Sequence, residues 1–303
     1  MIAAIALLAA VAGTQHHVKL QVGGLERKYT LHIPASHASP SPLVLVLHGG
    51  GNTPKDMEKM TGFNALADRE GFVVAYPEGY KNFWNDGRGT MRSAKKGIDD
   101  VGFIRAVIAD VEGKTSIDKS RIYVTGISNG GILTNRLGCE MADTLAAIGP
   151  VVGLIASNTA QQCHPANPIG VIGIVSVDDP RIPFAGGETG GDSHLGVGGN
   201  VQGGRATEAL WANVDGCNSS PAVSAMPTRV NDGTSVSQRT YSGCRSGTAV
   251  VWYEITGGGH RWPPYQPSSA KAARKIAASF GKSSQNIDAT AVIWAFFKTQ
   301  RKR

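Results

Sequence analysis

Four stretches of this chain are apolar at nearly every position: Leu43–Leu47, Phe72–Tyr76, Ala146–Val152 and Ile169–Val177. A strand with one wet face alternates polar and apolar residues, so a run that is apolar throughout reads as a strand buried on both faces. Between these runs stand stretches with helical spacing: Pro54–Arg69, a segment from Asp99 or Asp100 to about Glu112, and the residues after Ser128. Strands buried on two sides and separated by helices define an α/β fold with a mostly parallel central sheet flanked by helices. A hairpin of Val18–Val22 and Lys28–Ile33 around Gly23-Gly24 precedes this core. Helix-like Thr207–Val214, strand-like Ser235–Tyr241 and Ala249–Ile255, and a closing helix at Ala289–Lys298 follow it. No linker, repeat or charge block divides the chain, so residues 13–303 are expected to form one domain.

The 303 residues are 41% hydrophobic, enough for a sizeable core. The net charge of +7 is spread along the chain, apart from the terminal Lys298–Arg303. A basic helix end of that kind is a solvated terminus, and no aromatic–basic stripe points to nucleic acid. Met1–Gly13 is apolar and ends in small residues, with Ala10-Val11-Ala12 before Gly13. It is too short to span a bilayer and reads as a signal peptide over residues 1–12; a buried N-terminal element is the alternative. No integral membrane span is expected elsewhere. Four cysteines, Cys139, Cys163, Cys217 and Cys244, suit two disulfides in an exported protein, secreted or periplasmic. Three connectivities are possible; the local one closes loops whose chain entropy is worth about 3–4 kcal/mol each. None of them forms a Cys-x-x-Cys, so no metal site is expected.

Arg121–Thr125 is strand-like and runs into Gly126-Ile127-Ser128-Asn129-Gly130, after which Ile132, Leu133, Leu137 and Met141 recur at helical spacing. Gly-x-Ser-x-Gly arises by chance in so Gly-rich a chain, and its setting carries the reading. A strand, a turn centred on serine and a helix make a nucleophile elbow. In an open α/β sheet, ligands sit beyond the carboxyl ends of the strands. Four unusual features fall at such ends: His48-Gly49-Gly50-Gly51, Ser128, Asp178-Asp179 and His260. They supply, in the chain order Ser, Asp, His, a nucleophile, an acid (Asp179 or Asp178) and a base. The expected oxyanion donors are the backbone N–H groups of Asn129 and Gly50. His48 is expected to brace the glycine turn by hydrogen bonds. The turn lacks the Lys-Ser/Thr of a phosphate cradle. Asp99 and Asp100 read as helix caps.

The chain resembles the secreted α/β-hydrolases of the polyhydroxybutyrate depolymerase-like esterase family, which includes feruloyl esterases. The resemblance runs from about Tyr29 to the C-terminus. It rests on Leu47–Gly51, Trp84-Asn85-Asp86-Gly87-Arg88, Asp99–Ile104, Gly126–Gly131 and Gly257-Gly258-Gly259-His260-Arg261-Trp262-Pro263. It implies that Ser128 and His260 are catalytic and that the disulfides are Cys139–Cys163 and Cys217–Cys244. Asp179-Pro180-Arg181-Ile182-Pro183-Phe184 is similar to the family's Asp-x-x-Val-Pro-Tyr, which points to Asp179 as the acid. The preceding Val175-Ser176-Val177-Asp178 departs from the family's His-Gly-Thr-x, which keeps Asp178 open.

The activity so implied is that of a serine carboxylesterase working through an acyl-enzyme, with no metal or organic cofactor required. Feruloyl, aryl or short acyl esters are the expected substrates. Hydroxyalkanoate polyester is the alternative, followed by peptide and by a non-catalytic binding role. Trp262 is expected to flank the acyl or leaving group, or else to anchor the histidine loop; Trp84 and Asn85 are expected on the rim. The Gly-dense Phe184–Gly204 is expected to be a flexible surface loop beside the site.

Overall fold

The computed structural model describes residues 13–190 and 198–303. The expected signal peptide at residues 1–12 lies outside them, as does part of the Phe184–Gly204 loop. In chain order the elements are β1 (Thr14–Val22), β2 (Leu25–Ile33), β3 (Ser41–Leu47), α1 (Pro54–Thr61), α2 (Phe63–Glu70), β4 (Val73–Pro77), α3 (Arg92–Lys95) and α4 (Asp100–Lys114). Then come β5 (Ile117–Ile127), α5 (Asn129–Glu140), β6 (Ala147–Val151), α6 (Ser157–Gln162), β7 (Gly170–Ser176), β8 (Gly187–Glu188) and β9 (Asn200–Val201). The chain closes with α7 (Gly204–Val214), β10 (Ala222–Ala225), β11 (Ser235–Tyr241), β12 (Val250–Thr256), α8 (Ala270–Phe280) and α9 (Ala289–Phe297).

One large sheet runs in the order β1-β2-β4-β3-β5-β6-β7-β12-β11-β10. Its six central strands, β4 to β12 in that order, are parallel. The flanking pairs β1–β2 and β11–β10 join antiparallel. The apolar runs do what their composition demands: every residue of β3, β4, β6 and β7 is buried. Leu43, Leu45 and Leu47 join a core with Ile104, Leu133 and Trp211. Val44 and Val46 point the other way, into a core with Met57, Phe63 and Phe297. Helices therefore cover both faces, and the fold is that of an α/β-hydrolase.

Three expectations need correction. Pro54–Arg69 is two helices, broken where Gly62 takes a left-handed φ of 65°. Asp99 alone caps α4, accepting from the Gly102 N–H at 2.8 Å. Asp100 is buried against Arg27 at 2.6 Å. In Phe184–Gly204 the described residues are not a simple surface loop, because β8 and β9 pair and Thr189, Gly190 and Val201 are buried. Among the described residues no helix is long and apolar enough to cross a membrane.

Candidate active site

Because the central strands are parallel, the loops leaving β3, β5, β7 and β12 emerge on one side of the sheet. Register then sets neighbours. Leu47 pairs with Gly126, which brings the His48 turn beside Ser128. Ser176 pairs with Ile255, which brings the Asp179 turn beside the loop to His260.

Ser128 has φ 58° and ψ −123°, a region that side chains avoid. The turn is tight enough that a Cβ on Gly126 would meet the Gly130 backbone at 2.8 Å, and one on Gly130 would meet the His48 carbonyl at 2.5 Å. Ser128 occupies the N-cap of α5, yet its side chain makes no capping bond. The hydroxyl is left to the cleft. Asn129 starts the helix, so its backbone N–H has no acceptor within it.

The Asn129 side chain holds the opposite wall. Its Oδ1 accepts from the Trp84 N–H at 2.8 Å, and its Nδ2 donates to the Trp84 carbonyl at 3.2 Å and to Asp86 Oδ2 at 2.6 Å. Asp86 Oδ2 also accepts from Arg88 Nε at 3.0 Å and Nη2 at 2.7 Å. Arg88 Nη1 donates to Thr189 Oγ1. Asp86 and Arg88 are buried and form an ion pair whose partners are satisfied on every side.

His48 fixes the glycine turn. The Gly79 N–H donates to its Nε2 at 2.8 Å, so Nδ1 carries the proton and donates to the Gly49 carbonyl at 2.8 Å. Burial pushes its pKa down from 6.5 to about 4, which keeps the ring neutral. The Trp84 Nε1–H donates to the His48 carbonyl at 2.8 Å. Gly50 faces the cleft with the Phe83 ring packed on it, 2.9 Å from where a Cβ would lie.

His260 Nδ1 lies 2.7 Å from Asp179 Oδ2, and both side chains are buried. Asp179 Oδ1 accepts from the N–H groups of Arg181 (2.7 Å) and Ile182 (2.9 Å), so its own turn fixes the carboxylate. Asp178 points elsewhere and accepts from the Gly257 N–H at 2.7 Å. Ser128 and His260 share the wall of a cavity of about 270 Å3, lined also by Gly50, Met60, Ile127, Trp262, Tyr265, Ile276 and Phe280.

Trp262 is buried and at the same time borders the cleft. It is 1% exposed, with Nε1 donating to Thr290 Oγ1 at 3.0 Å, and it still forms part of the cleft wall. Trp84 and Asn85 are not on the rim. Trp84 is fully buried behind the glycine turn, where its indole N–H is used by His48. Asn85 bonds Asp100 through its N–H (2.6 Å) and the Ile98 carbonyl through Nδ2 (2.9 Å), and it lines a different cavity. Asp86, Arg88, Phe83, Ile276 and Phe280 belong to the site without having been assigned to it. The first two stood inside the Trp84–Arg88 motif, whereas the aromatic and aliphatic walls carry no local signal.

Both disulfides are formed, Cys139–Cys163 and Cys217–Cys244. Among the described residues no group of three or more His, Cys, Asp or Glu side chains could hold a metal.

The family described as "Esterase PHB depolymerase" matches residues 27–180, a span that includes Ser128 and Asp179 and stops short of His260. The chain is 34% identical over 259 residues to the protein of Nocardia uniformis subsp. tsuyamanensis named "Putative esterase NocK", covering 82% of this chain and 75% of that one. It is 26% identical over 244 residues to "Feruloyl esterase B" of Piromyces equi, covering 77% of this chain and 42% of that protein. With "Feruloyl esterase C" of Emericella nidulans it shares 30% identity over 178 residues, 56% of this chain and 60% of that one. The chain thus spans less than two thirds of either feruloyl esterase. In structure it is similar to an acetyl xylan esterase from Aspergillus awamori, with a TM-score of 0.60 at 16% identity, covering 87% of this chain and 98% of the other.

Proposed function

Because the chain belongs to the Esterase PHB depolymerase family and is a carboxylic ester hydrolase of the α/β-hydrolase fold, we propose that Ser128, His260 and Asp179 carry the reaction through an acyl-enzyme. His260 Nε2 takes the proton as Ser128 Oγ attacks the ester carbonyl. Asp179 holds the other ring nitrogen and stabilises the imidazolium. The N–H groups of Asn129 and Gly50 receive the oxyanion. The alcohol leaves with the proton from His260, and water repeats the steps on the acyl-serine. The observation that carries this reading is the 2.7 Å Asp179–His260 bond on the wall that also presents Ser128.

The substrates proposed are soluble or semi-soluble esters, feruloyl-type ones included, because a cleft walled by Trp262, Tyr265 and Phe280 suits an aromatic or short acyl group. Two disulfides and the apolar residues 1–12 support export, with residues 13–303 as one catalytic domain. The test is Ser128→Ala on p-nitrophenyl butyrate, expected to lose at least about 10³-fold in kcat. Near-normal turnover would remove Ser128 from the mechanism. Methyl ferulate, p-nitrophenyl esters and amorphous polyhydroxybutyrate assayed side by side separate the substrate classes. Faster release from the polymer would favour the polyester reading.

A further inference from the structure

Ser128 and His260 also border a second, smaller cavity of about 100 Å3, which shares Gly50 and Phe280 with the larger one. The cleft therefore has two arms meeting at the nucleophile. The larger arm is walled mainly by apolar side chains. The smaller has apolar walls too, from Phe83, Ile182 and Phe280, but adds Arg88, Arg181 and Thr189. Two guanidinium groups beside one small space call for negative charge. Arg88 already has it, since Asp86 takes its Nε and Nη2. Arg181 does not: among the described residues no carboxylate lies within ion-pair distance of it. Its guanidinium instead lies over the Phe280 ring, 4.9 Å from the centroid. That contact positions the cation at the edge of the arm, and among the described residues no side-chain acceptor takes its N–H donors. The Arg181 backbone serves a separate purpose, its N–H holding Asp179.

The geometry points to Arg181 as a specificity residue for esters that carry a free carboxylate a few atoms from the scissile bond, such as a half-ester of a dicarboxylic acid or an ester of a hydroxyacid. The substrate carboxylate enters the smaller arm and takes the planar donors of Arg181, while the apolar side of the ester fills the larger arm. Thr189 Oγ1, which Arg88 holds, completes a polar end to the small arm. This assignment rests on the serine esterase reading of the same cleft. A third guanidinium borders the larger arm, that of Arg261, whose Nη2 donates to the Tyr265 carbonyl at 3.4 Å. It supplies the control.

The experiment compares kcat/KM on two matched pairs of esters. One pair places the carboxylate on the acyl side, mono-p-nitrophenyl succinate against p-nitrophenyl butyrate. The other places it on the alcohol side, 4-carboxyphenyl butyrate against phenyl butyrate. In Arg181→Gln the anionic-to-neutral ratio should fall 10- to 100-fold for one pair, on the order expected for a charge-assisted hydrogen bond, mainly through KM. Arg181→Lys should restore part of it. An unchanged ratio in both pairs, or a ratio that moves with Arg261→Gln and not with Arg181→Gln, overturns the assignment. Hydrolysis of the neutral esters that survived Ser128→Ala would instead overturn the underlying mechanism.

Discussion

Asn129 Nδ2 lies 2.6 Å from Asp86 Oδ2, so the residue whose backbone N–H is the proposed oxyanion donor also ties the elbow to the Trp84–Arg88 loop through its side chain. Removing that amide leaves the backbone donor in place but frees the Trp84 N–H and one partner of the Asp86–Arg88 pair. Asn129→Ala should cost about 1–3 kcal/mol of stability, the penalty for buried polar groups left unpaired. It should also lower kcat more than it raises KM. Urea unfolding and ester kinetics on the same preparation check both, and a variant as stable as the parent would show that the network is slack.

Ser128 sits at φ 58°, and glycine is the residue that tolerates this backbone without strain. Ser128→Gly should be inactive and yet about 1 kcal/mol more stable than Ser128→Ala, after allowing for glycine's extra freedom in the unfolded chain. Thermal midpoints decide it. Equal midpoints would mean that the elbow stores no strain.

Gly50 is bounded by Phe83 rather than by backbone. In Gly50→Ala the new methyl presses on the ring, and either the ring or the turn that carries the Gly50 N–H must shift. Losing one well-aimed oxyanion donor costs on the order of 10²-fold in kcat, so a partial misalignment is expected to cost roughly 10-fold. Phe83→Leu in the same chain should recover part of that loss. A double variant no better than Gly50→Ala would place the defect elsewhere.

Two buried groups titrate against each other. The folded His48 has a pKa of about 4 against 6.5 unfolded, so between those values the unfolded chain binds the extra proton and stability rises with pH. Burial pushes Asp215 up from 3.8 to about 7, so over nearly the same range the folded chain binds the extra proton and stability falls with pH. Each contributes about 1.4 kcal/mol per pH unit, with opposite sign. Asp215→Asn removes the second and keeps an acceptor for the Ile169 N–H. Its urea stability should climb with pH between 4 and 6.5 more steeply than the parent's, by about 1.4 kcal/mol per unit. Parallel curves would mean that Asp215 is ionised in the folded protein.

The parts of this molecule that were legible in the sequence are those set by local chemistry. Leu43–Leu47 has no alternative to a doubly buried strand, and the glycines around Ser128 announce a turn that nothing larger could make. The choice of Asp179 over Asp178 needed similarity to a family, since both are carboxylates at one strand end. Only in the fold does one meet His260 and the other the Gly257 amide. Trp84 was misplaced for a related reason. An aromatic in a loop resembles a rim residue until the chain closes over it. Arg181 and Phe280, 99 positions apart in the numbering, are joined only by the packing of α8 against the Asp179 turn.

Asp179 and His260, the proposed acid and base, hang from β7 and β12, adjacent parallel strands in register from Val171↔Val250 to Ser176↔Ile255. Their relative position is therefore inherited from a ladder deep in the sheet, with β6 outside one strand and β11 outside the other. Amides in such a ladder exchange with solvent only when the whole domain opens. The Asp179–His260 pair should accordingly survive breathing of the surrounding loops and be lost only in the global transition, so that heat inactivation and the collapse of amide protection in β7 and β12 follow one curve.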